Sequence, residues 1–149
     1  VLGTDVFRRL EVLEESECRS LLTTAPIGRL AFTEGALPAI QPVHFVVLDH
    51  QIIIPTRMGS KVAAASRGAV VAFEVDEFDA DARTGWDVTV IGPSRVVEHP
   101  DEVRALDRLG VRAWAPPDVP CYVAVQMSIV RGRRLVPGVR SDAGTSGPR

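Results

Sequence analysis

The chain has 149 residues, with 17 Lys and Arg against 19 Asp and Glu, a formal net charge of −2 and 46% hydrophobic residues. That length suits one domain with a real hydrophobic core, and a near-neutral balance without a basic helix argues against a nucleic-acid surface. The longest apolar runs are strand-sized, so no membrane-spanning helix is expected. Val1 to Leu10 lacks the basic-then-apolar layout of a signal peptide, and Cys18 and Cys121 lie far apart, outside any CxxC pattern. They read as reduced, partly buried thiols of a cytoplasmic protein. His44, His50 and His99 show no metal-ligand spacing, so no metal site is expected.

Glu14 to Thr24 reads as an opening helix, with acids in its first turn and Leu13, Cys18, Leu21 and Leu22 near helical spacing. Pro26 and Gly28 end it. Strands follow at Ile27 to Thr33, Ile40 to Leu48 and Gln51 to Pro55, separated by turns at Glu34-Gly35-Ala36 and Asp49-His50. A short helix is expected over Val62 to Ser66, then a strand over Ala69 to Asp76 and a polar, acid-rich loop over Glu77 to Thr84. Trp86 to Glu98 reads as a long strand bent at Gly92-Pro93, where a ladder donor is missing. Pro100 to Leu109 is a helix with proline at its first position and Asp101 and Glu102 in its first turn. A proline-rich loop, Ala115 to Pro120, leads to a last strand over Cys121 to Val130, open to continuing past a turn at Arg131-Gly132. The cluster Arg131-Gly132-Arg133-Arg134 reads as an exposed strand end or a phosphate contact. Ser141 to Arg149 has no apolar anchor; the folded domain is set at residues 1–138 and a disordered tail at 139–149. Six or so strands joined by short connections argue for a mainly β fold, an antiparallel barrel with peripheral helices.

Ile54-Pro55-Thr56-Arg57-Met58-Gly59-Ser60-Lys61 is the most informative stretch. A strand end runs through a small-residue turn into a helix start, where backbone N–H groups lack partners. Hydroxyls at Thr56 and Ser60 and cations at Arg57 and Lys61 surround them. This is either an anion seat suited to phosphate or an ordinary helix capped by Ser60 beside two solvated cations.

Five segments form a series: Gly28-Arg29-Leu30-Ala31-Phe32, Pro42-Val43-His44-Phe45, Thr56-Arg57-Met58-Gly59-Ser60-Lys61, Phe73-Glu74-Val75-Asp76 and Gly85-Trp86-Asp87-Val88. Their order and spacing resemble the pyridoxamine 5′-phosphate oxidase-like, FMN-binding split-barrel family, in its small actinobacterial-type branch related to nitroimidazole-resistance proteins. The resemblance covers about Glu14 to Leu135. It implies a six-stranded antiparallel split β-barrel that forms a homodimer, with FMN in clefts at the subunit interface. By position, Thr56, Gly59, Ser60 and Lys61 would hold the FMN phosphate with help from Arg57. Pro42, Val43, His44 and Phe45 would pass along the flavin ring, and Trp86 would cover the flavin, face the second subunit or fill the core. Arg29 would reach phosphate or ring, or be an exposed barrel arginine; Glu74 and Asp76 would serve the dimer or the loop. No catalytic side chain is assigned, because the flavin carries the chemistry.

The implied function is an FMN-dependent oxidoreductase acting on a small molecule. Alternatives within the fold are a deazaflavin coenzyme or a tetrapyrrole as ligand, or a non-catalytic flavin sensor. Two departures stand out. Asp87 stands where the branch more often has serine, so either it points away from the phosphate, or it pairs with Arg29 or Arg95, or cofactor affinity is reduced. The chain's end also lacks the Arg- and Trp-bearing segment that acts on substrate phosphate in genuine pyridoxamine phosphate oxidases, which argues against vitamin B6 oxidation.

Overall fold

The computed structural model describes residues 8–111 and 120–137. The expected N-terminal segment before Arg8, most of the Ala115–Pro120 loop and the 139–149 tail lie outside these residues. In chain order the elements are β1 (Arg8–Leu13), α1 (Glu15–Leu22), β2 (Ile27–Glu34), β3 (Leu37–His44), β4 (Val46–Leu48), β5 (Gln51–Arg57), α2 (Lys61–Ala65), β6 (Val70–Asp79), β7 (Thr84–Val97), α3 (Pro100–Asp107), β8 (Pro120–Gln126) and β9 (Ile129–Pro137). The fold is mainly β, with every described strand pair antiparallel.

Strands follow the order β3-β2-β6-β7-β8-β5-β4, while β9 adds to β7 and β1 adds to β9. The two ends of that path, β3 and β4, are consecutive in the chain and separated only by Phe45. β7 belongs to two ladders systems in turn. Its residues Thr84 to Pro93 pair with β6, and Ser94 to Val97 pair with β8. The change falls at the expected bend. Gly92 lies so close to β8 that an added Cβ would stand 1.8 Å from the Gln126 carbonyl oxygen.

Alternation along the strands builds the core. Leu30, Phe73, Val75, Val88, Val90, Val123, Val125, Ile52 and Ile54 point inward and are buried, and α1 closes one end with Cys18 and Leu22. Gly132 lets α1 approach β9, because a Cβ there would stand 2.5 Å from the Cys18 sulfur. A second cluster, Ile53, Val97, Leu106, Tyr122 and Ala124, lies beneath α3 on the opposite side of β5 and β8. Ile52, Ile53 and Ile54 are therefore buried on both faces of their strand, which explains a continuous apolar run in an antiparallel sheet. The Tyr122 hydroxyl donates to Asp107 Oδ1 at 2.6 Å and ties α3 down; burial, then this bond, push the phenol well above its ordinary range.

Four expectations change. Nine strand segments stand where six were expected: the strand expected at Ile40 to Leu48 is interrupted at Phe45, and β1 and β9 are additional. Glu77 to Asp79 continue β6 and pair with Trp86, Gly85 and Thr84, so the loop shrinks to its tip; a hairpin beyond the core needs no apolar alternation. The last turn falls at Met127-Ser128, not Arg131-Gly132, where Met127 N–H bonds to the His50 carbonyl and Ser128 N–H to the Gln126 carbonyl. Finally β1 was not anticipated, since its Leu10 and Val12 are exposed and its only described partner is β9.

Gly92→Ala forces a side chain against a backbone carbonyl that cannot rotate away. Its expected cost is about 1–3 kcal/mol, read as a lower urea midpoint with an unchanged m-value. Tyr122→Phe removes one hydrogen bond to a carboxylate while keeping the packing. It should cost about 1.5 kcal/mol in the same assay.

Candidate functional site

β5 ends at Arg57, and α2 starts four residues later with Ser60 as its N-cap, its side chain accepting from Ala63 N–H at 3.0 Å. Gly59 takes a φ of +76°, the left-handed turn that glycine adopts without strain, and nothing lies within 4 Å of where its side chain would begin. The hydroxyls of Thr56 and Ser60 are 2.9 Å apart. Lys61 is 77% exposed and lies 3.3 Å from Glu34 Oε1, and Arg57 is exposed without an ion pair among the described residues. The Ser60 cap exists as the bland reading requires. Around it stand two hydroxyls, two outward cations and the first N–H groups of a helix, open to solvent on the Gly59 side.

Pro42 to Phe45 adjoins the same place. In the β4–β5 hairpin Val46 faces Ile53. Continued one strand length back, that register sets Phe45 beside Ile54, His44 beside Pro55 and Val43 beside Thr56. The ladder has stopped there, yet β3 and β5 remain in contact. Among the described residues no ladder joins the β3 edge to the end of β5, a gap in the pairing rather than a cavity. The side chains sort clearly. Val43 and Phe45 are buried, with Phe45 edge-on to Phe73 at 4.7 Å, so those two residues offer only backbone to the gap. Pro42 is exposed and His44 half-buried. Gly28, in the first motif, is required by this packing: a Cβ would stand 2.3 Å from the Phe73 ring.

Trp86 sits elsewhere in the chain. It pairs with Glu77 on one side and Arg134 on the other and packs against the core. By register this is roughly 25 Å along the strands from the level of Glu34, at about 3.3 Å per residue. One chain therefore brings Pro42–Phe45 near Thr56, while Trp86, within one residue of the level of His44 by the β2, β6 and β7 registers, stands three strands across the sheet. A hollow of about 280 Å³ beside Trp86 is lined by Glu77, Asp79, Arg134 and Leu135. Another, of about 430 Å³, lies by His50, Gln51, Ser94 and Arg95, where Arg95 is held by Glu102 at 2.6 Å.

The charged residues of the series have partners that register alone decides. Asp87 pairs with Arg133, at 2.7 Å, and with neither Arg29 nor Arg95. Arg133 and Arg134 lie within β9 rather than at a strand end; Arg134 reaches Glu17 of α1 at 3.3 Å. Arg29 turns to Asp76 at 2.9 Å and Glu74 at 3.5 Å, on the outer face of its sheet. Burial first, then Asp76 as hydrogen-bond neighbour and charge, raise the Glu74 carboxyl to about 7, against the lowering influence of Arg29. Arg131 and Arg133 were visible only as part of a basic cluster, with nothing to name their partners. Glu34 was visible only as a turn residue, and its place beside Lys61 depends on how α2 folds over β2.

Comparison with known proteins bears on the family and the fold. The family model for pyridoxamine 5′-phosphate oxidase matches residues 14–134. The uncharacterized protein Rv0080 of Mycobacterium tuberculosis is 38% identical over 139 residues, spanning 90% of this chain and 91% of that one. Among solved structures, the FAD binding protein of Mycobacterium smegmatis aligns with a TM-score of 0.70 at 29% identity, over 83% of this chain and 98% of its own. A candidate pyridoxamine 5′-phosphate oxidase of Corynebacterium glutamicum aligns at 0.73 and 26%, over 87% and 96%. Segment order, fold and family match converge: the chain belongs to the pyridoxamine 5′-phosphate oxidase family.

Proposed function

We propose that this chain is a flavin-nucleotide-binding oxidoreductase that acts on a small molecule as a homodimer. The observation that carries the reading is the gathering of hydroxyls, cations and helix-start N–H groups at Thr56–Lys61, near Pro42–Phe45 at the end of β3. Membership of the family and the FAD of the M. smegmatis relative support it. The residues present fit a flavin phosphate. Arg57 supplies a guanidinium with no ion pair among the described residues, Lys61 an ammonium that exchanges Glu34 for phosphate, and Thr56 and Ser60 hydroxyls already oriented by their mutual bond.

The flavin supplies the electron and hydride chemistry when bound. The chain's residues bind and orient. Backbone groups of Val43, His44 and Phe45 present donors and acceptors to the gap, while Pro42 withholds a ladder N–H and keeps that edge from pairing with another strand. The seat is open on its outer side, so a second copy of the chain would complete the cleft, exclude water and bring further walls, as the split-barrel homodimer reading requires. FMN and FAD share the ring, the ribityl chain and the first phosphate, which is the part the seat addresses. FMN is therefore the first ligand to test and FAD the second.

Purified protein mixed with FMN or FAD and freed of excess by gel filtration should retain flavin absorption at about one flavin per chain. A colourless protein with both flavins would overturn the reading and direct the search to a deazaflavin or tetrapyrrole. Retained flavin with oxidation of reduced pyridine nucleotide at the background rate would leave a binding protein without turnover. Arg57→Ala and Lys61→Ala should each weaken FMN about tenfold in a fluorescence titration, less at high salt. Riboflavin, which lacks the phosphate, should bind both variants as it binds the parent chain.

A further inference from the structure

The Thr56–Lys61 segment has an acid of its own beside it. Lys61 Nζ lies 3.3 Å from Glu34 Oε1, and both side chains are largely exposed, at 77% and 45%. An ion pair so open to water is weak, so another anion can take the ammonium from it. Arg57, the second cation of the segment, has no ion pair among the described residues.

The backbone beneath Glu34 is firmly held. Glu34 ends β2 and stands opposite Leu37, across a turn of only two residues, Gly35 and Ala36. Their φ values are +54° and +65°. Two left-handed residues in succession make the hairpin turn that best matches the twist of the flanking strands. β2 is paired to β3 along its length and to β6 at Arg29 to Ala31, and it packs against α2. The strand end therefore stays beside Lys61. When the ammonium turns to a ligand, the carboxylate remains within a side chain's reach.

Such a carboxylate opposes a phosphate in two ways. It holds the ammonium that the phosphate needs, and once displaced it repels the phosphate charge over a short distance. A phosphate monoester carries about two negative charges near pH 7. Against them Arg57 and Lys61 set two cations, which Glu34 reduces to a single net positive charge. The ring and ribityl chain of a flavin are neutral at that pH, so the opposition falls on the phosphate alone.

We propose that Glu34 is a resident competitor for the flavin phosphate, and that it sets how strongly the site prefers phosphorylated flavin to riboflavin. The proposal rests on the flavin reading above and adds the residue that regulates it. Glu34 acts through Lys61 and through its charge, without touching the ring. The same geometry has a rival use of opposite sign, in which Glu34 props Lys61 in the orientation that a phosphate needs. A competitor weakens nucleotide binding; a prop strengthens it.

Calorimetric titration of the full chain with FMN, FAD and riboflavin decides between them. Glu34→Gln should tighten FMN and FAD by about three- to tenfold each and leave riboflavin within about twofold. Glu34→Lys should tighten both nucleotides further, and about 1 M NaCl should shrink every gain to less than about twofold. In a Lys61→Ala chain the gain from Glu34→Gln should fall below about threefold, because no ammonium is left to compete for. Weaker nucleotide binding in Glu34→Gln would make Glu34 a prop for Lys61 and overturn the proposal. A riboflavin affinity that moves with the nucleotides, or gains that survive salt, overturn it as well. Should Glu34→Lys not fold, Glu34→Gln decides alone, since it removes the charge and keeps the shape. A parent chain that binds none of the three flavins overturns the flavin reading itself, and this proposal with it. A parent chain that binds flavin, with nucleotides indifferent to residue 34, leaves that reading standing and overturns only the competitor.

Discussion

The bend of β7 at Gly92-Pro93 is the constraint on which the rest depends. A strand that leaves one ladder and enters another within a single run must turn sharply, and the turn is possible only where a neighbouring backbone can come closer than any side chain allows. The Gln126 carbonyl occupies that space. Once β7 is bent, β8 and β5 stack on its far half and β6 and β9 on its near half. β5 is then delivered opposite β3 without pairing to it, and the unpaired gap beside Thr56 follows. The buried Ser94 hydroxyl locks the corner, lying 2.9 Å from the Ser66 carbonyl and 2.8 Å from that of Ala69. It thereby fixes the segment that returns from α2.

Much of this was legible in the sequence because it rests on local chemistry. The Glu34-Gly35-Ala36 turn, the Asp49-His50 turn, the Ser60 cap and Pro100 at a helix start each need only a few neighbouring residues. The bend was legible because glycine and proline announce it. The seat was legible as a composition of hydroxyls and cations beside a helix start.

What stayed hidden depends on partners far along the chain. β1 carries Leu10 and Val12 outward, so no buried face marks it, and its partner β9 lies more than a hundred residues away. The arginines of β9 look like a solvated cluster until register shows Asp87 opposite Arg133. Likewise the motif leaves Trp86 as flavin cover, partner contact or core residue, and only the assembled sheet shows it packed against the core. A linear pattern specifies which residues alternate to which face; it does not specify which strand lies beside which.

The isoleucine run of β5 has a consequence for the chain before it is folded. Ile52, Ile53 and Ile54 need cover on both sides, from the core and from α3, and the strand that flanks them over their whole length, β8, is made some seventy residues later. During synthesis the run therefore emerges with only the β4 hairpin arm to shield it. Uncharged, β-branched and extended, it is the kind of segment that adheres to its like in other nascent chains. Asp49 on one side, and Pro55 and Arg57 on the other, bracket it with a charge, a missing donor and a second charge, which oppose such stacking. Arg57 thus has a second occupation: the cation proposed to face a flavin phosphate also guards against aggregation in the unfinished chain.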